Sequence, residues 1–412
     1  MSSPLQREFA VDVVRKLRAA GHTALFAGGC VRDLLLGRPS KDFDVATTAK
    51  PEAVRAIFGH RRTLAIGASF GVIVVVAPHD VGHVEVATFR SDGDYVDGRR
   101  PEKIEFCSPE EDARRRDFTI NGMFFDPIDE QVFDYVGGQI DLAGRIVRAI
   151  GDPHDRMRED KLRMLRAVRF AATLDFALDT TTADAVRTMS SDLVVVSAER
   201  IAQELKRMLV DAHRRRAIEL AQDVRLLRVI LPELDGLQRL PEWEETLKRL
   251  ELLQRPSFEL ALTALLMSLP AKPIVNSICR RLKLSNDEIE RTVWLCEHQH
   301  DLDEAPGLSL AALKRCLAHP FCEGLLQLME SDCLARSISL EPVEFCRAFL
   351  EKTAAEEIDP PPLVTGDDLI AMGFRPGPRF KSVLESIRDS QLNLEIRDRE
   401  QALERARVEW GA

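Results

Sequence analysis

The chain has 412 residues, of which 45% are hydrophobic and 30% are charged. This length exceeds what one hydrophobic core supports, so we expect several domains, and the composition excludes a fibrous or largely disordered protein. No stretch approaches the about 20 consecutive apolar residues of a membrane helix. The N-terminal residues also lack a signal-peptide pattern. We therefore expect a cytoplasmic protein with no membrane partner.

The charge of the chain is negative but unevenly distributed. The net charge is -10, with 57 Lys and Arg against 67 Asp and Glu, whereas residues 145–216 hold 15 Lys and Arg and 11 Asp and Glu. A basic segment on an acidic protein is typical of a local site for a polyanion, and the net charge argues against a protein that coats nucleic acid with its whole surface. The eight cysteines include no CxxC pair, which predicts reduced core thiols.

Helical and strand patterns alternate in the first part of the chain. Apolar spacing predicts helices over residues 5–20, 31–36 and 51–58, and strands over residues 24–28, 43–46, 71–77 and 83–89. After about residue 153 the strand patterns disappear and helical spacing continues to the C-terminus. We therefore expect an α+β fold, in which a head with a mixed β-sheet precedes an all-helical remainder.

Two aspartates stand two residues apart, as Asp42 and Asp44, at the start of a predicted strand. Because strand side chains alternate, both carboxylates point to one face and Phe43 points into the core. Converging carboxylates repel unless a hard cation lies between them, and Mg²⁺ accepts a few carboxylates together with phosphate oxygens of a substrate. The pattern indicates a Mg²⁺ site for phosphoryl transfer, and two solvated aspartates on a surface strand are the alternative.

A glycine-containing segment, GGCVRD at 28–33, occupies a predicted strand-to-helix turn upstream of these aspartates. Gly28 and Gly29 allow the backbone to approach a phosphate closely, the start of a helix offers free N–H groups, and Arg32 adds a charged donor. A tight turn with Arg32 paired to a nearby acid explains the glycines equally well. The short spacing between the turn and the aspartates favours the phosphate site.

Two further segments are candidates for the same site. Glu85 lies on a predicted strand, opposite Val84 and Val86, where it is either a third carboxylate beside the metal or an ordinary exposed glutamate. In 114–122, RRRDFTING, three cations lead into an apolar stretch. This pattern predicts that three polar residues turn inward to meet ligand hydroxyls and phosphates, with a solvated run of like charge as the alternative. These residues are Arg116, Asp117 and Asn121.

The segment 158–170, REDKLRMLRAVRF, is predicted to form one helix with its apolar residues facing the core. Its polar series recurs at intervals of three and shares one stripe: Asp160, Arg163, Arg166 and Arg169. An aspartate accepts from an exocyclic amine while an arginine donates to the adjacent ring acceptor, a pair that cytosine and adenine offer. Uracil and guanine leave unsatisfied polar groups at about 1–3 kcal/mol each. The stripe predicts selection of C and A without a template, and an intrahelical salt-bridge ladder is the alternative.

In this order, these segments resemble the motifs of the class II nucleotidyltransferases, the family of the bacterial CCA-adding enzymes and the related poly(A) polymerases. The resemblance rests on GGCVRD at 28–33, DFD at 42–44, TFRSDGDYVDGRRPE at 88–102, RRDFTIN at 115–121, EDKLRMLRAVRF at 159–170 and AERIAQEL at 198–205. It is strong over residues 25–234 and returns at 364–406. It implies a nucleotidyltransferase head at 1–150, a helical neck with a nucleotide-selecting helix at 151–234, a helical body at 235–358 and a helical RNA-binding tail at 359–412.

At the matching positions, the resemblance implies metal binding by Asp42 and Asp44 and triphosphate contacts by Gly29 and Arg32. It further implies ribose or phosphate contacts by Arg116 and Asp117, base selection by Asp160 and Arg163 with support from Arg166 and Arg169, and a bracing role for Arg200.

The reaction that the resemblance implies is the template-independent addition of CMP and AMP to the 3′ end of tRNA. CTP and ATP are the substrates, Mg²⁺ is the cofactor and pyrophosphate is released. Ala68 and Ser69 stand where bacterial poly(A) polymerases usually carry a basic pair, and the long surface loop predicted at 91–101 is retained, as in full CCA-adding enzymes. Two alternatives stay open: a poly(A) polymerase acting on RNA 3′ ends, and a non-catalytic RNA-binding protein that kept the fold. No DNA partner is expected.

Overall fold

The structure is a computed structural model that describes residues 4–40, 42–67, 71–78, 81–92 and 104–410. Internal contacts divide the chain into two units, Met1–Pro232 and Glu233–Ala412. Every strand of the described residues lies in the first unit, and the second unit is built from helices, so the predicted α+β class is confirmed. The finer division into head, neck, body and tail stays a prediction.

A mixed sheet forms the centre of the first unit. The strands of the described residues are β1 (Ala24–Ala27), β2 (Asp44–Thr47), β3 (Thr63–Gly67), β4 (Val72–Val76), β5 (His83–Thr88), β6 (Arg90–Asp92), β7 (Ile104–Phe106), β8 (Phe124–Asp126), β9 (Gln131–Phe133), β10 (Ile146–Val147) and β11 (Ala177–Leu178). Seven of them form one sheet in the order β3-β4-β5-β2-β1-β8-β9, while β6 pairs with β7 and β10 with β11. β2 and β5 are parallel, and the other neighbours in the main sheet are antiparallel.

The strands predicted at 24–28, 43–46, 71–77 and 83–89 correspond to β1, β2, β4 and β5. β8 and β9 have three residues each, too few to show a period, and the sequence does not predict them. The predicted loop at 91–101 is wrong at its start, because Ser91 lies in β6 and pairs with Glu105 of β7. The loop from residue 93 to 101, and the Ala68–Ser69 position, lie outside the described residues.

The described residues of the first unit form eleven helices: α1 (Pro4–Ala19), α2 (Gly29–Leu35), α3 (Pro51–Phe58), α4 (Pro109–Arg114), α5 (Gly138–Ala143), α6 (Pro153–Glu159), α7 (Leu162–Leu174), α8 (Thr180–Met189), α9 (Ala198–Leu209), α10 (Arg214–Asp223) and α11 (Leu227–Ile230). The three helices predicted at 5–20, 31–36 and 51–58 correspond to α1, α2 and α3. α1 and α3 pack on the main sheet, and α7 packs against both α9 and α10.

The second unit contains α12 (Glu242–Leu252), α13 (Phe258–Leu266), α14 (Asn276–Arg281), α15 (Asn286–Glu297), α16 (Leu310–Leu317), α17 (Cys322–Arg336), α18 (Glu341–Lys352), α19 (Ala355–Ile358), α20 (Gly366–Ala371), α21 (Pro378–Leu392) and α22 (Arg399–Trp410). Short helical turns occur in both units, at His60–Arg62, Thr119–Asn121, Ser190–Val195, Pro232–Leu234, Leu237–Arg239, Ala271–Val275 and Ala305–Gly307. None of the helices in the described parts of the chain has the length and apolar composition of a membrane span. The eight cysteines are unpaired, and all except the half-buried Cys107 are buried, as predicted.

Gly138, the first residue of α5, packs tightly against the turn Thr119–Asn121. A Cβ at this position would lie 2.7 Å from Cγ of Met123 and closer still to the carbonyl oxygen of Thr119. We expect Gly138→Ala to lower the free energy of unfolding by about 1–3 kcal/mol, because backbone atoms must move to admit the methyl group. Urea unfolding of the variant and the parent chain measures the difference.

Gly236→Ala is the matched control, because a Cβ at Gly236 meets no heavy atom within 4 Å. Equal free energies of unfolding for the Gly138→Ala and parent proteins would contradict the prediction.

Candidate active site

Three chain segments meet at one edge of the main sheet. In the antiparallel register, Phe26 of β1 pairs with Val45 of β2, and Ala27 of β1 pairs with Phe124 of β8. The end of β1 is therefore next to the start of β2 and the start of β8. This register joins the glycine turn that begins at Gly28, the aspartate pair and the segment before β8, although the three are far apart in sequence.

Asp42 and Asp44 each have much of their residue surface exposed, and Phe43 between them is buried, as strand alternation predicts, although the carboxyl group of Asp44 lies against the protein. Asp44 pairs in parallel register with Glu85 of β5, which is also exposed. Enclosure by the surrounding protein and, after it, the negative charge of Glu85 raise the pKa of Asp44 to about 6. A bound divalent cation would relieve this crowding of negative charge.

The residues at this edge fit a magnesium ion by their donor chemistry, since Mg²⁺ prefers carboxylate oxygens. Asp42, Asp44 and Glu85 do not form a closed cage, because no group of three or more ligand side chains with metal-site geometry occurs among the described residues. An open set of this kind suits an ion that takes its remaining ligands from water and substrate phosphates.

A cavity of about 520 Å³ opens beside Asp44. The predicted site residues on its wall are Gly28, Gly29, Arg32, Asp44, Arg116, Asp117, Asn121, Asp160, Arg163, Arg166 and Arg169. Arg115 and Phe170, which the sequence analysis does not single out, also line it. Among the remaining predicted residues, Asp42 lines a neighbouring cleft, Glu85 is next to Asp44 in the sheet, and Arg200 contacts Asp160. We call this cavity the arginine pocket.

The neighbouring cleft has a volume of about 600 Å³ and shares part of its wall with the arginine pocket. Asp42 and Asp44 both line it, together with Arg38 and Arg207. Asp44 and Arg169 belong to both walls. Asp44 therefore lies where two spaces meet, which is the arrangement that a transfer between two bound molecules requires.

The glycine turn is fixed against the pocket by a chain of hydrogen bonds. Gly28 has a φ of +73°, and a Cβ there would lie 3.1 Å from Nη1 of Arg116, so this position suits glycine. Arg32 of α2 donates to Oδ1 of Asn121 at 2.8 Å, and Nδ2 of Asn121 donates to Oδ1 of Asp117 at 3.1 Å. The turn, α2 and the segment before β8 are thereby held in one arrangement.

Each of the six arginines on the pocket wall has a carboxylate partner. The pairs are Arg32–Asp33, Arg115–Asp112, Arg116–Asp112, Arg163–Glu159, Arg166–Asp117 and Arg169–Glu204. Asp112 and Glu204 are almost fully buried, with 1% and 2% exposure. Because a guanidinium has five N–H groups and an ion pair uses only some of them, the wall remains rich in donors while its charge is compensated.

Sequence reasoning misses three of these acids. Asp112 precedes Arg115 and Arg116 by three and four residues, and Glu159 precedes Arg163 by four, so helical ion-pair spacing is a usable signal for both. Glu204 lies on α9, whereas its partner lies on α7 and is 35 residues away, so no local pattern indicates it.

The predicted single helix at 158–170 is wrong, because the chain interrupts it at Asp160. α6 ends at Glu159 and α7 begins at Leu162, and Asp160 between them has extended dihedral angles. Its Oδ1 accepts from the N–H of Leu162, the first residue of α7, at 3.0 Å, and its Oδ2 accepts from Arg200 of α9 at 2.7 Å. Asp160 therefore reaches the pocket from the break between α6 and α7, while the three arginines that follow lie on α7 itself.

Asp117 is buried, and burial alone would raise its pKa. The charge and hydrogen bonds of Arg166, at 2.6 and 2.9 Å, outweigh burial and lower the pKa of Asp117 to about 2. A lowered pKa in the folded state stabilises the fold above the unfolded pKa, and this contribution is lost as the pH falls. We expect Asp117→Asn to reduce the free energy of unfolding near pH 7 by about 2 kcal/mol or more.

The difference in free energy of unfolding between the Asp117→Asn and parent chains should shrink as the pH falls from about 5 to about 3. Urea unfolding at several pH values measures this difference. Asp129→Asn is the control, because that side chain is 66% exposed. A difference that stays constant over this pH range would show that the charge of Asp117 does not cause it.

Two family models and several known proteins match the chain. A model described as the poly A polymerase head domain matches residues 24–148, and one described as the probable RNA and SrmB-binding site of polymerase A matches residues 175–237. The CCA-adding enzyme of Pediococcus pentosaceus is 32% identical over 97% of each chain. That of Geobacillus stearothermophilus is 42% identical over 58% of this chain, and the chain matches only 57% of that relative's length. The match to the Streptococcus pyogenes CCA-adding enzyme has 42% identity and covers 53% of each chain.

Two solved structures resemble this one along nearly the whole chain. The crystal structure of the Bacillus stearothermophilus CCA-adding enzyme in complex with CTP has a TM-score of 0.78 and 30% identity, and the match covers 99% of each chain. The Thermotoga maritima CCA-adding enzyme complexed with tRNA(CCA) has a TM-score of 0.65 at 20% identity, covering 99% of this chain and 96% of that one, and supports the fold alone. On the sequence identity and coverage of these relatives, the chain belongs to the family of CCA-adding enzymes.

Proposed function

We propose that this protein adds CMP and AMP to the 3′ end of tRNA by nucleotidyl transfer from CTP and ATP, with release of pyrophosphate. One observation carries the proposal: Asp44, at the acidic edge of the sheet, shares the arginine pocket with Asp160 and Arg163. A phosphate-transfer group and a base-reading pair within one cavity of about 520 Å³ suit a single nucleoside triphosphate.

Asp42 and Asp44 are the proposed ligands of Mg²⁺, and Glu85 is the proposed third carboxylate beside them. Bound there, Mg²⁺ would activate the attacking 3′-hydroxyl and neutralise charge on the triphosphate. The support for these ligands is that Asp42 and Asp44 are both exposed around the buried Phe43 and line one cleft, and that burial and the charge of Glu85 raise the pKa of Asp44 to about 6. The neighbouring cleft, which Asp42 and Asp44 also line, is the proposed place of the RNA 3′ end.

The phosphates of the bound nucleotide are the proposed partners of Gly28, Gly29, Arg32 and Arg116. A glycine at position 28 keeps the turn free of a side chain, and the guanidiniums of Arg32 and Arg116 retain donors beyond those in their ion pairs. Asp117 and Asn121, which hydrogen-bond to each other on the same wall, are the proposed contacts of the ribose hydroxyls.

Base selection is the proposed role of Asp160 and Arg163. A carboxylate that accepts from an exocyclic amine next to a guanidinium that donates to a ring nitrogen fits cytosine and adenine alike. Arg163 is 9% exposed and donates to Glu159 and to the carbonyl oxygen of Arg115, so its position is fixed before a base binds. Arg166 and Arg169 support the same wall through their own buried acids.

The relatives support the substrates of the proposal. The structure of the Bacillus stearothermophilus enzyme is a complex with CTP, and that of the Thermotoga maritima enzyme is a complex with tRNA(CCA). We propose the cytoplasm as the compartment, because the eight cysteines of the chain are unpaired thiols, which are typical of a reducing environment.

The test of this function is extension of tRNA that ends before, within or after CCA, with each nucleotide supplied alone. We expect CTP alone to be incorporated before CCA, ATP alone only after both cytidines, and UTP and GTP in neither case. Asp44→Asn should slow both additions by at least about a thousandfold, because a metal ligand contributes several kcal/mol to the transition state.

Asp12→Asn is the control for this loss of one carboxylate, since Asp12 lies on α1 and its side chain is 53% exposed. Incorporation of ATP alone on every RNA, with no use of CTP, would identify a poly(A) polymerase instead. If the parent protein extends no tRNA with Mg²⁺, CTP and ATP, the protein is a non-catalytic RNA-binding protein instead.

The base-reading proposal predicts a specific defect for Asp160→Ala. We expect discrimination between CTP and UTP, measured as the ratio of kcat/KM values, to fall by about 10- to 100-fold, because the mismatch that rejects uracil is removed. Affinity for tRNA, measured by filter binding, should stay within about twofold of the parent value, since no RNA phosphate contact is lost.

Asp155→Ala is the matched control, because Asp155 lies on α6 and its side chain is 59% exposed. A melting temperature for each variant establishes that the protein is folded. Unchanged discrimination in folded Asp160→Ala would remove Asp160 from the base-reading role.

A further inference from the structure

One aromatic ring contacts three arginines of the arginine pocket. Phe170 of α7 is 8% exposed and lines the pocket. The guanidinium carbons of Arg32, Arg166 and Arg169 lie 5.2, 5.2 and 4.0 Å from its ring centroid. Phe118, which is fully buried, contacts the Phe170 ring edge-to-face with the centroids 5.8 Å apart. The ring is therefore fixed by the core and in turn contacts both α2 and α7.

Three guanidiniums around one ring repel each other, and each is paired with a carboxylate of its own, Asp33, Asp117 or Glu204. The electron-rich face of an aromatic ring attracts a cation within about 6 Å of its centroid. This attraction differs from an ion pair in one respect, because it uses none of the N–H groups that a carboxylate would occupy. A ring can therefore hold an arginine in place and leave its donors available to a ligand.

The three arginines have different proposed tasks. Arg32 belongs to the glycine turn and reaches toward the phosphates, whereas Arg166 and Arg169 lie on the helix that supports base selection. The Phe170 ring, which contacts all three, therefore links the two ends of the nucleotide site. A bulky aliphatic side chain at position 170 would fill the same space without attracting the cations.

We propose that Phe170 is a positioning residue for nucleotide binding, whose ring holds Arg32, Arg166 and Arg169 at fixed places while leaving their N–H donors for the nucleotide. The inference rests on the proposed function, since it takes a nucleoside triphosphate as the ligand of the pocket. The interaction is present before the ligand binds and is the same in the ground state and the transition state. It therefore contributes to affinity more than to the rate of the chemical step.

The experiment replaces Phe170 by Leu and, separately, by phenylalanine analogues with one, two or three fluorine atoms. Fluorine withdraws electron density from the ring face and changes its shape little, so the series weakens the attraction to cations step by step. We expect KM for CTP and ATP to rise progressively along the series and by about five- to thirtyfold for Phe170→Leu, with kcat within about twofold of the parent value. Phe170→Tyr keeps the aromatic ring and should restore KM to near the parent value.

Phe176→Leu is the matched control for loss of a buried aromatic ring. Phe176 is 1% exposed and follows α7, and its cation neighbour is Arg145, at 5.8 Å, which does not line the pocket. We expect this variant to lower the melting temperature and to leave KM unchanged. An equal rise in KM for Phe176→Leu and Phe170→Leu would overturn the proposal, because general loss of packing would then explain both.

Direct binding of CTP, measured by isothermal titration calorimetry, separates this proposal from the proposed function. If the parent protein binds CTP but extends no tRNA, the proposed reaction fails while the fluorine series still tests Phe170 through the dissociation constant. If the parent protein extends tRNA and the dissociation constant and KM do not change along the series, the proposed role of Phe170 is wrong.

Discussion

A pocket that contains six arginines is stable only if the protein supplies compensating negative charge before any ligand arrives. In this chain five carboxylates serve the six guanidiniums, because Asp112 pairs with two of them. Two of the five, Asp112 and Glu204, are almost fully buried, so they are held for this purpose by the fold itself. The incoming anionic ligand then meets positioned donors rather than six free, mutually repelling side chains.

This balance also explains the composition of the region. An anion site built from unpaired arginines would require a basic segment, whereas residues 145–216 are only mildly basic and the chain as a whole is acidic. The acids near the arginines are therefore part of the site, because they compensate the charge of its arginines. Net charge alone is a poor guide to such a site, since the number of N–H donors on the wall and their fixed directions matter more than the sum of charges.

The sequence predicts features that depend on local periodicity. The common face of Asp42 and Asp44 follows from the two-residue repeat of a strand, and so does the exposure of Glu85. The pairing of Asp44 with Glu85 does not follow, because it depends on the register between two parallel strands that are far apart in the chain. The same limit applies to Arg169 and Glu204, whose contact depends on how α7 packs on α9.

The interruption at Asp160 shows why a strong local pattern can still mislead. The segment around it is rich in residues that favour helices, and its apolar spacing continues across the break, so an unbroken helix is the local expectation. In the structure, the Asp160 carboxylate instead satisfies the N–H of Leu162 and pairs with Arg200 of another helix. The tertiary ion pair and the hydrogen bond to Leu162 together outweigh the hydrogen bonds of one helical turn, and no local pattern reveals Arg200 as a partner.

The position of Asp160 bears on how a carboxylate can distinguish nucleobases. A freely rotating carboxylate accepts hydrogen bonds from water in any direction, so it rejects a carbonyl group only weakly. Here one oxygen is bound by Leu162 and the other by Arg200, which fixes the plane of the group and leaves its remaining lone pairs in set directions. Under the proposed function, an amino group of cytosine or adenine completes this arrangement, whereas a carbonyl oxygen faces fixed negative charge that cannot turn away. The negative charge of Asp160 then determines that an amino group is favoured over a carbonyl group. The strength of this selectivity arises from the rigidity that the two neighbours impose on Asp160.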